Sequence, residues 1–220
     1  MKTIQSLSIA VLTAAILAAC GGGEKSAPAA SQPQAQQAQS GESAGMSAEL
    51  SAVIENYPAI DPVLTQPIEI SDKKSPTGLK ELKKFADLSS GPLMREALSM
   101  QKKIQSQVRA QKSDKPSDEL LASVKEMGSL MEKMKQEVSA LNLQDPEIKT
   151  VSDRSLLASE TAYKIISYTV DNADKMNAGE KSQAFMNAFN GKTREMQKAL
   201  SENQRIVGDA ARKLSEKYSK

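Results

Sequence analysis

Residues 120–141 read LLASVKEMGSLMEKMKQEVSAL. Within them Leu120, Val124, Met127, Met131, Met134, Val138 and Leu141 follow one another in steps of 4, 3, 4, 3, 4 and 3, and all are apolar. Steps that average 3.5 residues keep one side of an α-helix turned toward a partner helix. This is the strongest periodic signal in the chain, and it predicts an all-α protein whose helices pack lengthwise. The carboxylates that flank such stripes, among them Glu132, Glu137 and Glu160, read as a solvated face.

The neighbouring segments repeat the pattern. Upstream, Pro92 suits a first helical turn, and Met94, Ala97, Gln101, Ile104 and Val108 form a stripe. The helix containing 120–141 should start near Ser117. Downstream, "NLQDPE" predicts a turn with Asp145 as N-cap and Pro146 at the first helical position. A third long helix is expected over about 146–176. It carries Ile148, Val151, Ala158, Ala162 and Ile165 on one side and Leu156, Tyr163, Ile166, Val170 and Ala173 on another. So wide an apolar surface implies two neighbours. After "NADKMNAGEKS" a last helix is expected over about 181–218. Its seam is Met186, Phe189, Thr193, Met196, Leu200, Asn203, Val207, Ala210 and Leu214.

Long helices joined by short turns favour antiparallel neighbours. The expected architecture is an antiparallel up-down four-helix bundle over residues 92–220, with coiled-coil-like seams and crossings of about +20°. Residues 47–91 should form two short helices, about 47–57 and 77–88, around an extended segment with Pro58, Pro62, Pro67 and Pro76. Val63, Leu64, Ile68 and Ile70 are expected to dock that segment on the main body. The last helix, roughly 55 Å long, should outrun a first long helix of roughly 32 Å. Val207, Ala210, Leu214 and Tyr218 would then continue a seam beyond its bundle partners. Either residues 47–88 cover this strip, or it is an association surface for another copy or another protein.

Composition narrows the chemistry. Of 220 residues, 39% are apolar but only 3% aromatic, with no Trp, so the core must be aliphatic and Met-rich. Basic and acidic residues number 29 and 27. That near-balance lacks the concentrated basic footprint of a nucleic-acid binder. The chain has no histidine. A Ser-His-Asp or Cys-His nucleophile, a Glu-x-x-His di-iron site and bis-His haem ligation are thereby removed, and catalytic zinc normally needs at least one His. No enzyme activity, metal or cofactor is expected.

The N-terminus says where the protein resides. Lys2 precedes an apolar run from Leu7 to Ala18, broken only by Ser8 and Thr13. This has the shape of a secretory signal and is short for a membrane-spanning helix. It ends Leu17-Ala18-Ala19-Cys20, and Cys20 is the single cysteine of the chain. An aliphatic residue, two small residues and a cysteine resemble the lipobox of bacterial lipoproteins, over the first twenty residues only. The resemblance implies cleavage between Ala19 and Cys20, a diacylglyceryl group on the Cys20 sulfur, and acylation of the new amino group. Each buried CH₂ adds about 0.8 kcal/mol, so two or three chains anchor stably where one does not. Gly21 stands where an Asp would imply retention in the inner membrane, which by the same resemblance points to the outer membrane. Residues 20–46 are then a tether of Gly, Ala, Ser, Gln and Pro, too poor in apolar surface to fold, with a reach of roughly 25–30 Å.

Three features invite a sharper reading. Met127, Met131 and Met134 share a helical face, and thioethers bind soft metals such as Cu(I), although Met more often fills core gaps. Gln101 and Asn203 interrupt apolar seams; they either line a ligand cavity or fix helix register, the second being the commoner use. The functional expectation is a non-enzymatic binding or structural module of the envelope that contacts the membrane through its lipid. Its partner would be an envelope or host protein, or a second copy. The alternative is a ligand-handling lipoprotein that carries a small apolar molecule or a soft metal within the helices.

Overall fold

A computed structural model describes residues 46–110, 115–179 and 182–219. The signal peptide, Cys20 and tether residues 21–45 lie outside the described residues, as do 111–114 and 180–181 of the two connections. Every regular element among the described residues is helical: α1 (Ala48–Glu55), a 3₁₀ turn (Pro62–Thr65), α2 (Gly78–Ser89), α3 (Pro92–Ala110), α4 (Asp118–Ala140), α5 (Pro146–Asp171), α6 (Ala173–Gly179) and α7 (Gln183–Ser219).

Local chemistry sets these limits. Ser47 and Ser117 cap α1 and α4, each side chain accepting the N–H of the third residue on, Leu50 and Leu120. Asp145 caps α5 by accepting from the N–H groups of Glu147 and Ile148 at 2.9 and 3.1 Å, with Pro146 in the first turn. Such caps satisfy donors that the helix itself leaves orphaned. The third long helix stops earlier than its stripe predicted. Asn172 folds its amide back onto the Tyr168 carbonyl at 2.9 Å, and α6 begins at Ala173 as a separate short helix. The segment expected to be extended throughout contains the 3₁₀ turn, capped by Asp61 through the Val63 N–H.

Three cores share α5. The first holds Ala97, Met100 and Ile104 of α3, Leu120, Val124, Met127, Leu130, Met131 and Met134 of α4, and Ile166 and Val170 of α5. The second joins Val53, Tyr57 and Leu64 to Ala158 and Ile165 of α5 and to Phe185, Phe189, Met196 and Leu200 of α7. The third joins Leu82 and Phe85 of α2 to Ile148, Val151, Val207, Ala210, Ala211, Leu214 and Tyr218. The two apolar sides read on the third helix therefore serve different cores. Leu156, Tyr163, Ile166 and Val170 face α3 and α4, while Ile148, Val151, Ala158 and Ile165 face α7.

The four long helices do not close as the expected bundle would. α3 packs on α4, α4 on α5 and α5 on α7, but among the described residues neither α3 nor α4 packs extensively against α7. The free flank of α7 is taken by α1, the 3₁₀ turn and α2. The N-terminal residues thus supply a wall that the bundle expectation assigned to a long helix. Aromatic rings fasten this wall. Tyr57 meets Tyr168 and Phe189 edge-on at centroid distances of 5.7 and 5.6 Å, and the Tyr168 hydroxyl donates to the Val53 carbonyl.

Candidate binding groove

The strip offered as a possible association surface is interior. Val207, Ala210, Leu214 and Tyr218 are 0%, 2%, 0% and 8% exposed. Leu82 and Phe85 of α2 cover them together with Ile148 and Val151 of α5, and Ile68 and Ile70 pack over the edge. The reading in which residues 47–88 provide the cover is the one the fold adopts. The reason is geometric: α7 outruns α3, and α2 docks on the excess.

Polar side chains lock that cover in place. Tyr218 lies across Gly78 so closely that a Cβ there would stand 2.1 Å from its ring. Its hydroxyl donates to Asp145 and accepts the Ser75 N–H at 3.0 Å. Burial and the Asp145 carboxylate both raise the Tyr218 phenol above its ordinary range. Glu81 of α2 accepts the N–H groups of Gln144 and Asp145, each at 2.8 Å. Burial pushes its carboxyl up, but these hydrogen bonds and one from Thr77 outweigh burial and hold it below the usual range. Glu147 behaves alike. It accepts from Lys217 at 2.6 Å and from the N–H and hydroxyl of Ser71 at 2.8 and 2.7 Å, and its pKa is lowered despite burial.

A second lock lies midway along α5. Arg154, 5% exposed, donates from Nε to Asn203 Oδ1 at 3.0 Å and from Nη2 to the carbonyls of Leu64 and Gln66 at 3.1 and 2.6 Å. Burial lowers its pKa, and the nearby Asp61 carboxylate acts in the opposite sense. Asn203 is therefore not a lone polar residue in its seam. It is the α7 partner of a buried guanidinium that grips the 3₁₀ turn. Gln101 is 7% exposed beside Met127, Met131 and Tyr163. Met127, Met131 and Met134 are 2%, 5% and 7% exposed within the first core. Their thioethers are packed among aliphatic side chains there.

One concavity has the make-up of a binding site. It lies where the first and third cores fail to meet, under the α2–α3 turn. Phe85 and Leu88 of α2, Leu93 and Met94 of α3, Met134 and Val138 of α4, and Leu156 of α5 form apolar walls. Ser152, Ser155 and Ser159 of α5 form the third side. Their spacing of 3 and 4 residues puts three short side chains in line, where larger ones would fill the gap. The Ser155 and Ser159 hydroxyls turn back onto the carbonyls of Val151 and Ser155 at 2.8 and 3.0 Å. Ser152 is 1% exposed, and its hydroxyl oxygen is buried without a hydrogen-bond partner. The cavity volume is about 40 Å³, enough for about three waters and well short of the roughly 150 Å³ cavity that takes up a benzene ring.

Chemically, the groove offers apolar walls and short hydroxyl side chains. A serine becomes a nucleophile through an adjacent base, and no titratable side chain lines the groove. Among the described residues no three His, Cys, Asp or Glu side chains gather as a metal site. The groove escaped sequence reading because its makers are serines and half-buried aliphatics on four helices. The one available signal was the run of serines at helical spacing on α5.

Among the described residues no helix is long and apolar enough to cross a membrane. No curated protein and no solved structure matches the chain. One family model does match, over residues 79–218, which spans α2 to α7 and every wall of the groove. By that match the chain belongs to the family described as "Uncharacterised lipoprotein PM1805", and it is a bacterial lipoprotein.

Proposed function

We propose that the protein is a non-enzymatic binding lipoprotein of the cell envelope, held at the outer membrane by lipid on Cys20, and that the helical body receives its ligand in the groove beneath the α2–α3 turn. The observation that carries this reading is the apolar groove between α2, α3, α4 and α5, edged by the short serines of α5. Ligand pockets are characteristically apolar concavities with few polar groups that fix orientation.

Of the two kinds of occupant, a small apolar molecule is favoured over a protein partner. The strip that would have met a second copy or another protein is covered by α2. Soft-metal carriage is disfavoured because Met127, Met131 and Met134 are buried in the first core and only Met134 of the three reaches the groove. Affinity purification of the lipidated protein from its native envelope, with mass spectrometry of both proteins and small molecules, tests this. A stoichiometric small molecule is expected. A protein partner with no small molecule would instead favour the structural role. Separation of inner from outer membranes tests the location, and recovery with the inner membrane would refute that part.

A further inference from the structure

We infer that the outer face of the N-terminal wall is an interface between two copies of this chain, paired antiparallel so that the acidic half of each lies on the basic half of the other. This face is separate from the groove, and the inference does not rest on the groove's holding a ligand.

Charge is sorted along the wall. Residues 46–72 carry Glu49, Glu55, Asp61, Glu69 and Asp72 and contain no Lys or Arg. Residues 73–84 carry Lys73, Lys74, Lys80, Lys83 and Lys84, and their one acid, Glu81, is buried and taken up by the N–H groups of Gln144 and Asp145. The other ten charges are all exposed. Among the described residues none of the ten forms a salt bridge, although Asp61 feels the charge of Arg154. The fold sets the two halves out in space. Val53, Tyr57 and Leu64 cover Phe189, Met196 and Leu200 of α7, and α2 covers Val207, Ala210 and Leu214. Those six residues of α7 follow one another at steps of 7, 4, 7, 3 and 4, so they share one side of that helix. The wall therefore runs along one side of α7 for about 38 Å, acidic at one end and basic at the other. Val63 and Leu79, 39% and 41% exposed, are two of the three exposed large apolar side chains among the described residues, and one lies in each half.

Such a face complements itself under a two-fold axis that reverses its direction, whereas parallel pairing would set like charge on like. An anionic membrane or a nucleic acid would match the basic half alone and be repelled by the acidic one. At one helix width, about 10–12 Å, the face offers about 400 Å² per copy, the size of weak and transient contacts. Two copies held by lipid in one membrane raise each other's effective concentration, so the pairing belongs to the membrane surface rather than to dilute solution.

The test uses the full lipidated chain in vesicles of phosphatidylcholine, which has no net charge. Cys20 is the single cysteine, so Ser129→Cys, exposed on α4, takes a donor dye in one batch and an acceptor in another. Energy transfer between copies should rise saturably at low surface density and fall at about 1 M salt, where screening acts beyond about 3 Å. One variant carries Glu49→Lys, Glu55→Lys and Glu69→Lys, and a second carries Lys80→Glu, Lys83→Glu and Lys84→Glu. Each alone should associate at least about tenfold more weakly, the combined worth of several exposed ion pairs. Mixed in equal amounts, the two should pair at least as well as the wild type, because each again meets opposite charge. Thermal melts should show both folded, since all six positions are exposed. Wild-type transfer no greater than that of randomly spread copies would overturn the proposal. So would variants that associate as the wild type does, or a mixture that fails to recover. Transfer that appears only when phosphatidylglycerol is added, and only with the lysines intact, would assign the basic half to the lipid surface and overturn the pairing of copies.

Discussion

Gly78 and Tyr218 lie 140 positions apart in sequence, and their close contact joins the start of α2 to the end of α7. A methyl group at Gly78 would sit 2.1 Å from both Cζ and Oη of Tyr218 and 2.5 Å from Cε1. No rotamer adjustment of a methyl relieves such an overlap. The ring must move, and the hydroxyl then loses Asp145 and the Ser75 N–H together. Overpacking of this kind costs about 1–3 kcal/mol, and unmade hydrogen bonds to buried groups add a comparable amount. Gly78→Ala should therefore destabilise by about 2–5 kcal/mol. Tyr218→Leu should be destabilising on its own, because it removes ring area and both hydrogen bonds. In the Tyr218→Leu background the clash is gone. There Gly78→Ala should be neutral, or stabilise by about 0.4–1 kcal/mol through lower entropy of the unfolded chain. Urea unfolding of the four proteins gives the coupling energy directly, with about 2 kcal/mol or more expected. Additive effects would refute the reasoning. They would mean that the end of α7 is frayed in solution and that α2 is held by something else.

Arg154→Met should cost about 3 kcal/mol or more, because two buried acceptors and one part-buried acceptor lose their donor at once; Arg154→Lys should not rescue it, since a point ammonium cannot reach all three, and trypsin should cut faster at the exposed Lys73 and Lys74 in both variants. Glu81 and Glu147 have folded pKa values below the ordinary 4.5. Their contribution is complete above that value and is lost as pH falls through the lowered folded pKa, so the urea midpoint should drop between about pH 5 and pH 3, less steeply in Glu81→Gln. Met131→Asp should exceed about 4 kcal/mol by burying an unpaired charge in the first core; an unchanged melting temperature would contradict its 5% exposure. Cys20→Ala should abolish lipidation, read as loss of partitioning into the detergent phase, and an unchanged mature mass would contradict the lipobox reading.

Periodicity made the helices legible but left their partners open. The 4-and-3 stripe of α4 names its buried residues because a helix can turn only one side to its neighbours. The double stripe of α5 likewise implied two neighbours, and in the structure one side meets α3 and α4 while the other meets α7. What the stripes could not state was which helix faces which. Any apolar seam satisfies any other of equal length, so a closed bundle and an open row with an N-terminal wall bury the same residues. The difference between them was nevertheless written into α5. Its α7-facing stripe runs Ile148, Val151, Arg154, Ala158, at spacings of 3, 3 and 4. An arginine in that register is intolerable against a hydrocarbon helix. It is tolerable only where carbonyl oxygens of an irregular segment can face it, as Leu64 and Gln66 do. Asn203 marks the matching place on α7. Read as a pair rather than as a surface arginine and a lone seam asparagine, these two residues call for a neighbour with free carbonyls at that level, and the proline-rich segment supplies it through Leu64 and Gln66. The groove follows from the same compromise. Once α2 is drawn to the end of α7 by Tyr218, it cannot also close on α3 and α4 along its length. The three serines of α5 lie where that closure would have occurred.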